Sequence, residues 1–142
     1  MAKTRVLFVC IHNSARSQMA EALLNRLYGE RFEAESAGLT PGTLNPIAVK
    51  VMEEKGIDIS HNQTHDVFDY FTSGRRYSYV ITVCDEASGE RCPIFPGIAA
   101  NLHWSFDDPS SFQGTEAERL DKTREVRNHI EKAIRSWVSS LR

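Results

Sequence analysis

A cysteine and an arginine bracket a short polar loop near the start of the chain. Cys10 ends the apolar run RVLFVC, and Arg16 follows six residues later, with IHNSA between them. A loop of this length between a strand and a helix can point backbone N–H groups inward, while the planar guanidinium group of the arginine points back into the loop. Such a cradle fits a tetrahedral oxyanion, and its positive environment stabilises a thiolate. We therefore predict that Cys10 is a nucleophile aimed at the central atom of a bound anion. The predicted oxyanion-binding residues are Ile11, His12, Asn13, Ser14, Ala15, Arg16 and Ser17.

The spacing of this loop also has an ordinary structural explanation. A cysteine buried at a strand end and an arginine exposed on the next helix would produce the same C-x5-R pattern. The strand-loop-helix context, the serine after the arginine and the polar HNSA segment favour the chemical interpretation. For His12 two roles stay open, tuning of Cys10 or exposure at the surface, and we expect exposure to solvent.

The sequence Asp107-Asp108-Pro109 offers a second reactive group. An Asp-Asp-Pro segment is usually a turn, because aspartate bonds its own backbone and proline restricts φ. Here it follows the fourth predicted strand, which makes Asp108 a candidate proton donor to a leaving oxygen. Beside the cysteine loop we favour the catalytic role.

Length and charge restrict the remaining possibilities. A domain of 142 residues can bury a core without metal or disulfide staples, so we expect one domain over residues 1–142, and a monomer. The 17 basic and 19 acidic residues are interspersed and give a net charge of -2. The sequence therefore has no broad basic surface for nucleic acid and no polybasic tail for a membrane, and we expect neither partner. The opening apolar run is too short for a secretion signal, so we expect a cytoplasmic protein.

The cysteine count points away from structural disulfides and zinc. Cys10, Cys84 and Cys92 are odd in number and contain no CxxC pair. In a reducing compartment such cysteines are inert core residues or working thiols. Cys84 suits a core position at a strand end, whereas Cys92 lies in a polar loop and is a poor core candidate.

Strand and helix patterns alternate along the chain. Apolar runs predict strands, and apolar residues at three- and four-residue steps predict helices. The predicted strands are 5–10, 32–37, 79–83 and part of 98–104; the predicted helices are 17–28, 46–55 and one that begins at the capping box 115–118. This alternation indicates an α/β fold, a three-layer open twisted parallel sheet of about four strands with helices on both faces. Ligands bind at the carboxyl ends of such strands, where we expect Cys10, Ser36, Cys84 and Asp108 to meet.

Five blocks of the sequence resemble one known family. VCIHNSARSQMAEALL, ESAG, LNPIAVKVMEEKGIDIS, VCDEASGERCP and HWSFDDP are similar to the thioredoxin-recycled arsenate reductases built on the low-molecular-weight tyrosine phosphatase fold. The resemblance implies that Cys10 attacks arsenate, Arg16 clamps the oxyanion and Asp108 is the general acid. It also implies that Cys84 and Cys92 are the two resolving cysteines, in a relay that ends in a disulfide reduced by thioredoxin.

The resemblance further implies no tightly bound cofactor, but a potassium ion in some members. The matching positions are Asn13, Glu21, Ser36, Thr64 and Asp66. The electron donor stays open, since thioredoxin, glutaredoxin or a small thiol would meet the same exposed disulfide. Either arsenate or another phosphate-like oxyanion would fit the loop.

Two rival functions remain. A low-molecular-weight protein tyrosine phosphatase would use the same loop and acid on phosphotyrosine, although this chain has Ser110 and Ser111 where those enzymes carry tyrosines. Cys84 and Cys92 would then have no task. A non-catalytic redox sensor that binds an oxyanion would explain the loop and the thiols, but would leave Asp108 idle.

Overall fold

A computed structural model describes residues 3–84 and 100–141, and Cys92 lies outside the described residues. It confirms the predicted α/β class, with four parallel strands in the order β2-β1-β3-β4. The strands are β1 (Thr4–Cys10), β2 (Phe32–Gly38), β3 (Tyr79–Thr82) and β4 (Asn101–His103). The helices are α1 (Arg16–Tyr28), α2 (Pro46–Glu53), α3 (Val67–Thr72) and α4 (Glu116–Ser140).

The central strand β1 is covered on both faces, which explains its uninterrupted apolar sequence. Val6 and Phe8 pack into one core cluster with residues of α1, α2 and α4. Leu7 and Val9 point to the opposite face, where Val67 of α3 belongs to the cluster around them. Side chains alternate across a strand, so one apolar run serves two cores and produces the three layers.

Local sequence signals set the ends of two helices. Thr115 and Glu118 form the predicted capping box at the start of α4, whose buried stripe then covers the sheet. Asn45 caps α2 with its side-chain oxygen, and Pro46 occupies the first turn. This helix ends at Glu53, slightly before the predicted end, and Gly56 follows with a φ of 73° in the left-handed region.

Helix α3 is absent from the pattern-based prediction. It has six residues, too few for a 3.6-residue period to repeat, and it depends on the Asp66 side chain, which accepts the N–H of Phe68. It buries Val67 against the sheet and leaves Phe68 59% exposed.

The strand register brings the predicted reactive residues to one edge. Cys10 pairs with Gly38 at the end of β2, and Val9 pairs with Thr82 at the end of β3. Cys84 follows β3 by two residues and therefore lies beside the end of β1. Within the described parts of the chain, no helix is long and apolar enough to cross a membrane.

Candidate active site

The loop after β1 is turned by hydrogen bonds to the segment 39–45. Three loop carbonyls accept backbone N–H groups from that segment: those of Ile11 (2.8 Å, from Thr40), His12 (3.0 Å, from Gly42) and Ser14 (2.9 Å, from Asn45). In a trans peptide the carbonyl and the next N–H point in opposite directions. Outward carbonyls therefore leave the following N–H groups facing the interior of the loop, as an anion cradle requires.

The Cys10 thiol lies at the floor of this cradle. It is 2% exposed, its sulfur accepts the Asn13 backbone N–H at 3.1 Å, and the Ser17 hydroxyl oxygen lies 2.9 Å away. Helix α1 begins directly beyond, with no side-chain cap at Ala15. The positive end of the helix dipole therefore lies beside the sulfur, where it favours a negative charge.

Asn13 holds the loop in shape. Its φ of 55° lies in the left-handed region, which asparagine tolerates better than most residues. Its amide nitrogen donates to the hydroxyls of Ser17 (2.7 Å) and Ser36 (2.9 Å). Its amide oxygen accepts the Gln18 side chain (3.2 Å) and the His65 backbone N–H (3.0 Å). A fully satisfied buried amide specifies one conformation of the loop.

The network continues from Asn13 to a buried carboxyl group. Ser36 accepts from Asn13 and donates its own hydroxyl to Glu21 Oε1 at 2.8 Å. Burial raises the pKa of Glu21 from 4.5 to about 7, although the Ser36 hydrogen bond works in the opposite direction.

The five candidate potassium ligands fall into two sets. Asn13, Glu21 and Ser36 form the connected network, in which the Glu21 carboxyl and the Ser36 hydroxyl supply the oxygen atoms. Thr64 donates its hydroxyl to the Gly42 carbonyl at 2.7 Å, and Asp66 caps α3. In the described residues no group of three or more His, Cys, Asp or Glu side chains forms a metal cluster.

Arg16 connects the loop to the predicted acid. Its side chain is 3% exposed, and its Nη1 donates to the Phe106 carbonyl at 3.2 Å. Its Nη2 lies 3.7 Å from Asp108 Oδ2, while Asp108 Oδ1 accepts the Ser110 N–H at 2.9 Å. Asp108 is therefore a turn residue that also lies beside Arg16.

The remaining predicted residues lie around the cradle. His12 is exposed, as expected, with its Nδ1 2.9 Å from the Thr40 carbonyl. Because a carbonyl only accepts, Nδ1 carries a proton and Nε2 is left for solvent. Cys84 is fully buried beside the end of β1.

Sequence reasoning missed three supporting residues. A Cβ on Gly38 would lie 2.8 Å from the Ile11 carbonyl oxygen and 2.9 Å from the Asn13 nitrogen, so β2 can approach the loop only with glycine there. Gln18 is buried and joins Asn13 to the Gln63 carbonyl, at 2.9 Å from the latter. A polar residue on the buried face of α1 was the available signal. Asn45 caps α2 with its side chain and donates its backbone N–H to the Ser14 carbonyl.

Known proteins are similar to this chain in sequence and in fold. The sequence matches the family described as low molecular weight phosphotyrosine protein phosphatase over residues 5–142. An arsenate reductase of Bacillus subtilis is 39% identical over 135 residues, 95% of either chain.

Solved structures give the same relationship. An arsenate reductase in its phosphate-binding state superposes with a TM-score of 0.78 at 26% identity, covering 98% of this chain and 99% of that one. A thioredoxin-dependent arsenate reductase of Corynebacterium glutamicum gives a TM-score of 0.62 at 29% identity, covering 95% of this chain and 63% of that one. The present chain thus belongs to the low molecular weight phosphotyrosine protein phosphatase family and is similar over nearly its full length to arsenate reductases of this fold.

Proposed function

We propose that this protein reduces arsenate to arsenite. The observation that carries the proposal is the buried Cys10 sulfur, which accepts a backbone N–H and faces a hydroxyl at the uncapped start of α1. A thiolate there would attack the arsenic of an anion clamped by Arg16, while Asp108 protonates the departing oxygen. Water leaves, and a Cys10–arsenic(V) adduct remains.

The next steps use the other two cysteines. The Cys84 thiolate attacks the Cys10 sulfur, so an S–S bond forms, the S–As bond breaks and its electron pair reduces arsenic(V) to arsenic(III). Arsenite leaves, and the two thiols together have lost two electrons. Cys92 then attacks Cys84, which frees Cys10 and leaves a Cys84–Cys92 disulfide. The neighbouring ends of β1 and β3 support the first exchange.

A dithiol protein completes the cycle. We propose reduced thioredoxin as the electron donor, by analogy with the thioredoxin-dependent neighbour from Corynebacterium glutamicum. Thiol–disulfide exchange returns Cys84 and Cys92 to thiols and leaves the donor oxidised, so the electrons balance. Glutaredoxin and small thiols are the alternative donors, and replacing thioredoxin with each of them in the assay below would separate them.

A weak phosphate-ester hydrolase activity is a second proposal. A tetrahedral cradle of N–H groups and an arginine distinguishes poorly between phosphate and arsenate, and one structural neighbour is described in a phosphate-binding state. The proposed acid turn carries Ser110 and Ser111, which offer no aromatic surface to hold a phenyl ring.

We propose one domain over residues 1–142 that acts as a cytoplasmic monomer. Asn13, Glu21 and Ser36 would hold a potassium ion, which supplies positive charge beside the loop network.

The test is NADPH consumption with thioredoxin and thioredoxin reductase, with and without arsenate, beside phosphate-ester hydrolysis. We expect arsenate-dependent turnover that greatly exceeds ester hydrolysis, and loss of both in Cys10→Ser. Ester hydrolysis without arsenate turnover for any thiol donor would favour the phosphatase. A single oxidation without turnover would favour the redox sensor.

A further inference from the structure

The Asp108 turn is tied to the anion cradle at two points. At the first, Arg16 donates to the Phe106 carbonyl and approaches Asp108. At the second, Asn45 Nδ2 donates to the Ser110 hydroxyl oxygen at 3.2 Å. These contacts join segments that are 65 or more residues apart in sequence.

The two ties respond differently to a bound anion. Arg16 is the clamp, so anion oxygens would compete with Phe106 and Asp108 for its N–H donors. The Asn45 side chain already bonds a helix end and Ser110. The Asn45–Ser110 hydrogen bond therefore does not compete with a bound anion, whereas the Arg16 contacts do.

Asn45 is itself anchored to the cradle. Its backbone N–H donates to the Ser14 carbonyl at 2.9 Å, and its side-chain oxygen caps the first turn of α2. Because the side-chain oxygen of Asn45 bonds the helix, its amide nitrogen is directed at the Ser110 hydroxyl. The backbone N–H of Ser110 in turn donates to Asp108 Oδ1 at 2.9 Å. A continuous hydrogen-bonded path runs from the cradle to the carboxyl group.

We propose that Asn45 is a positioning residue that holds Asp108 at its working distance from Cys10 while Arg16 binds the anion. The inference rests on the proposed function and adds to it a residue that acts only through Ser110. Its predicted effect is on the proton-transfer step and not on anion affinity, because the cradle itself is left intact.

Two variants break this tie from opposite sides. Asn45→Ser keeps an oxygen that caps α2 but is too short to reach Ser110. Ser110→Ala removes the accepting hydroxyl and keeps the backbone N–H to Asp108. Ser110→Thr retains a hydroxyl and is the matched control. We expect kcat for arsenate reduction to fall roughly three- to tenfold in the first two variants, with phosphate Kd unchanged and Ser110→Thr near wild type. The double variant Asn45→Ser/Ser110→Ala should be no slower than either single variant.

Wild-type kcat in Asn45→Ser, additive slowing in the double variant, or a Ser110→Thr variant as slow as Ser110→Ala would each overturn the inference. Amide hydrogen exchange over residues 105–111 in phosphate-saturated protein is a second readout. Asn45→Ser should exchange faster there, and an unchanged rate would also overturn it. Hydrogen exchange does not depend on turnover. If the wild-type protein did not reduce arsenate, the proposed function would be rejected, but the exchange rates would still show whether Asn45 holds the Asp108 turn in place.

Discussion

Ser17 places its hydroxyl oxygen 2.9 Å from the Cys10 sulfur. The same oxygen accepts the Asn13 amide at 2.7 Å, and beside a thiolate, which can only accept, Ser17 would donate its hydrogen to the sulfur. With the Asn13 backbone N–H at 3.1 Å, a thiolate here would accept two hydrogen bonds. A buried anion needs such partners, because burying a charge without them is costly.

Ser17→Ala should therefore slow the chemistry of Cys10. Loss of one donor to a charged sulfur predicts roughly tenfold slower alkylation by iodoacetamide at pH 7, and a similar loss in arsenate turnover. Ser36→Ala is the matched control, because it removes the other hydroxyl bound by Asn13 without touching the sulfur. Equal alkylation rates in wild type and Ser17→Ala would remove the hydroxyl from the mechanism.

Asp108→Asn separates the acid from the turn. The amide oxygen can still accept the Ser110 N–H, so the turn should persist while the ionisable proton is lost. We expect adduct formation with arsenate in single-turnover experiments to slow by roughly 100-fold or more, with phosphate binding retained. An unchanged rate would reduce Asp108 to a turn residue.

Cys92→Ser isolates the last exchange of the relay. The variant should form the adduct, release one arsenite per protein and stop with a Cys10–Cys84 disulfide, because no other thiol of the chain remains to open it. Mass spectrometry after alkylation would detect that disulfide, and the thioredoxin-coupled assay would show no sustained NADPH consumption. Full steady-state reduction by Cys92→Ser would contradict the three-cysteine relay.

Glu21 predicts a dependence of stability on pH. Burial raises its pKa from 4.5 to about 7 in the folded protein. Below pH 4.5 the carboxyl is protonated in both the folded and the unfolded chain, so pH has no effect on stability through this group. As the pH rises, the unfolded chain releases its proton first, and the free energy of unfolding falls by about 3 kcal/mol up to pH 7. Urea unfolding from pH 4.5 to 8 in potassium-free buffer should show this loss, and Glu21→Gln should not.

Potassium provides the companion experiment. A cation at the Glu21 carboxylate would favour its ionised form, so potassium chloride should stabilise the wild type at pH 8 more than choline chloride at equal ionic strength. Glu21→Gln should respond equally to both salts. The same response in wild type and variant would reject the potassium proposal.

Local chemistry made much of this protein predictable. The apolar run before Cys10, the six-residue step to Arg16 and the capping box at Thr115 act over one or two turns of chain, so the sequence expresses them directly. The carboxyl-end rule for parallel sheets then predicted that Cys10 and Asp108 would lie at one edge, and Arg16 of the Cys10 loop does approach Asp108.

The tertiary structure decided the contacts between distant segments. Asn45 meets Ser110 and Arg16 meets Phe106 because strand order and register bring these loops to one edge, and many other polar loop residues were equal candidates beforehand. Helix α3 likewise depends on a single buried valine and one cap, a signal too short for any periodicity. The sequence by itself therefore determined the fold class and the reactive loop, whose forces are local. Packing determined which side chains support that loop, because those partners are chosen only once the sheet has assembled.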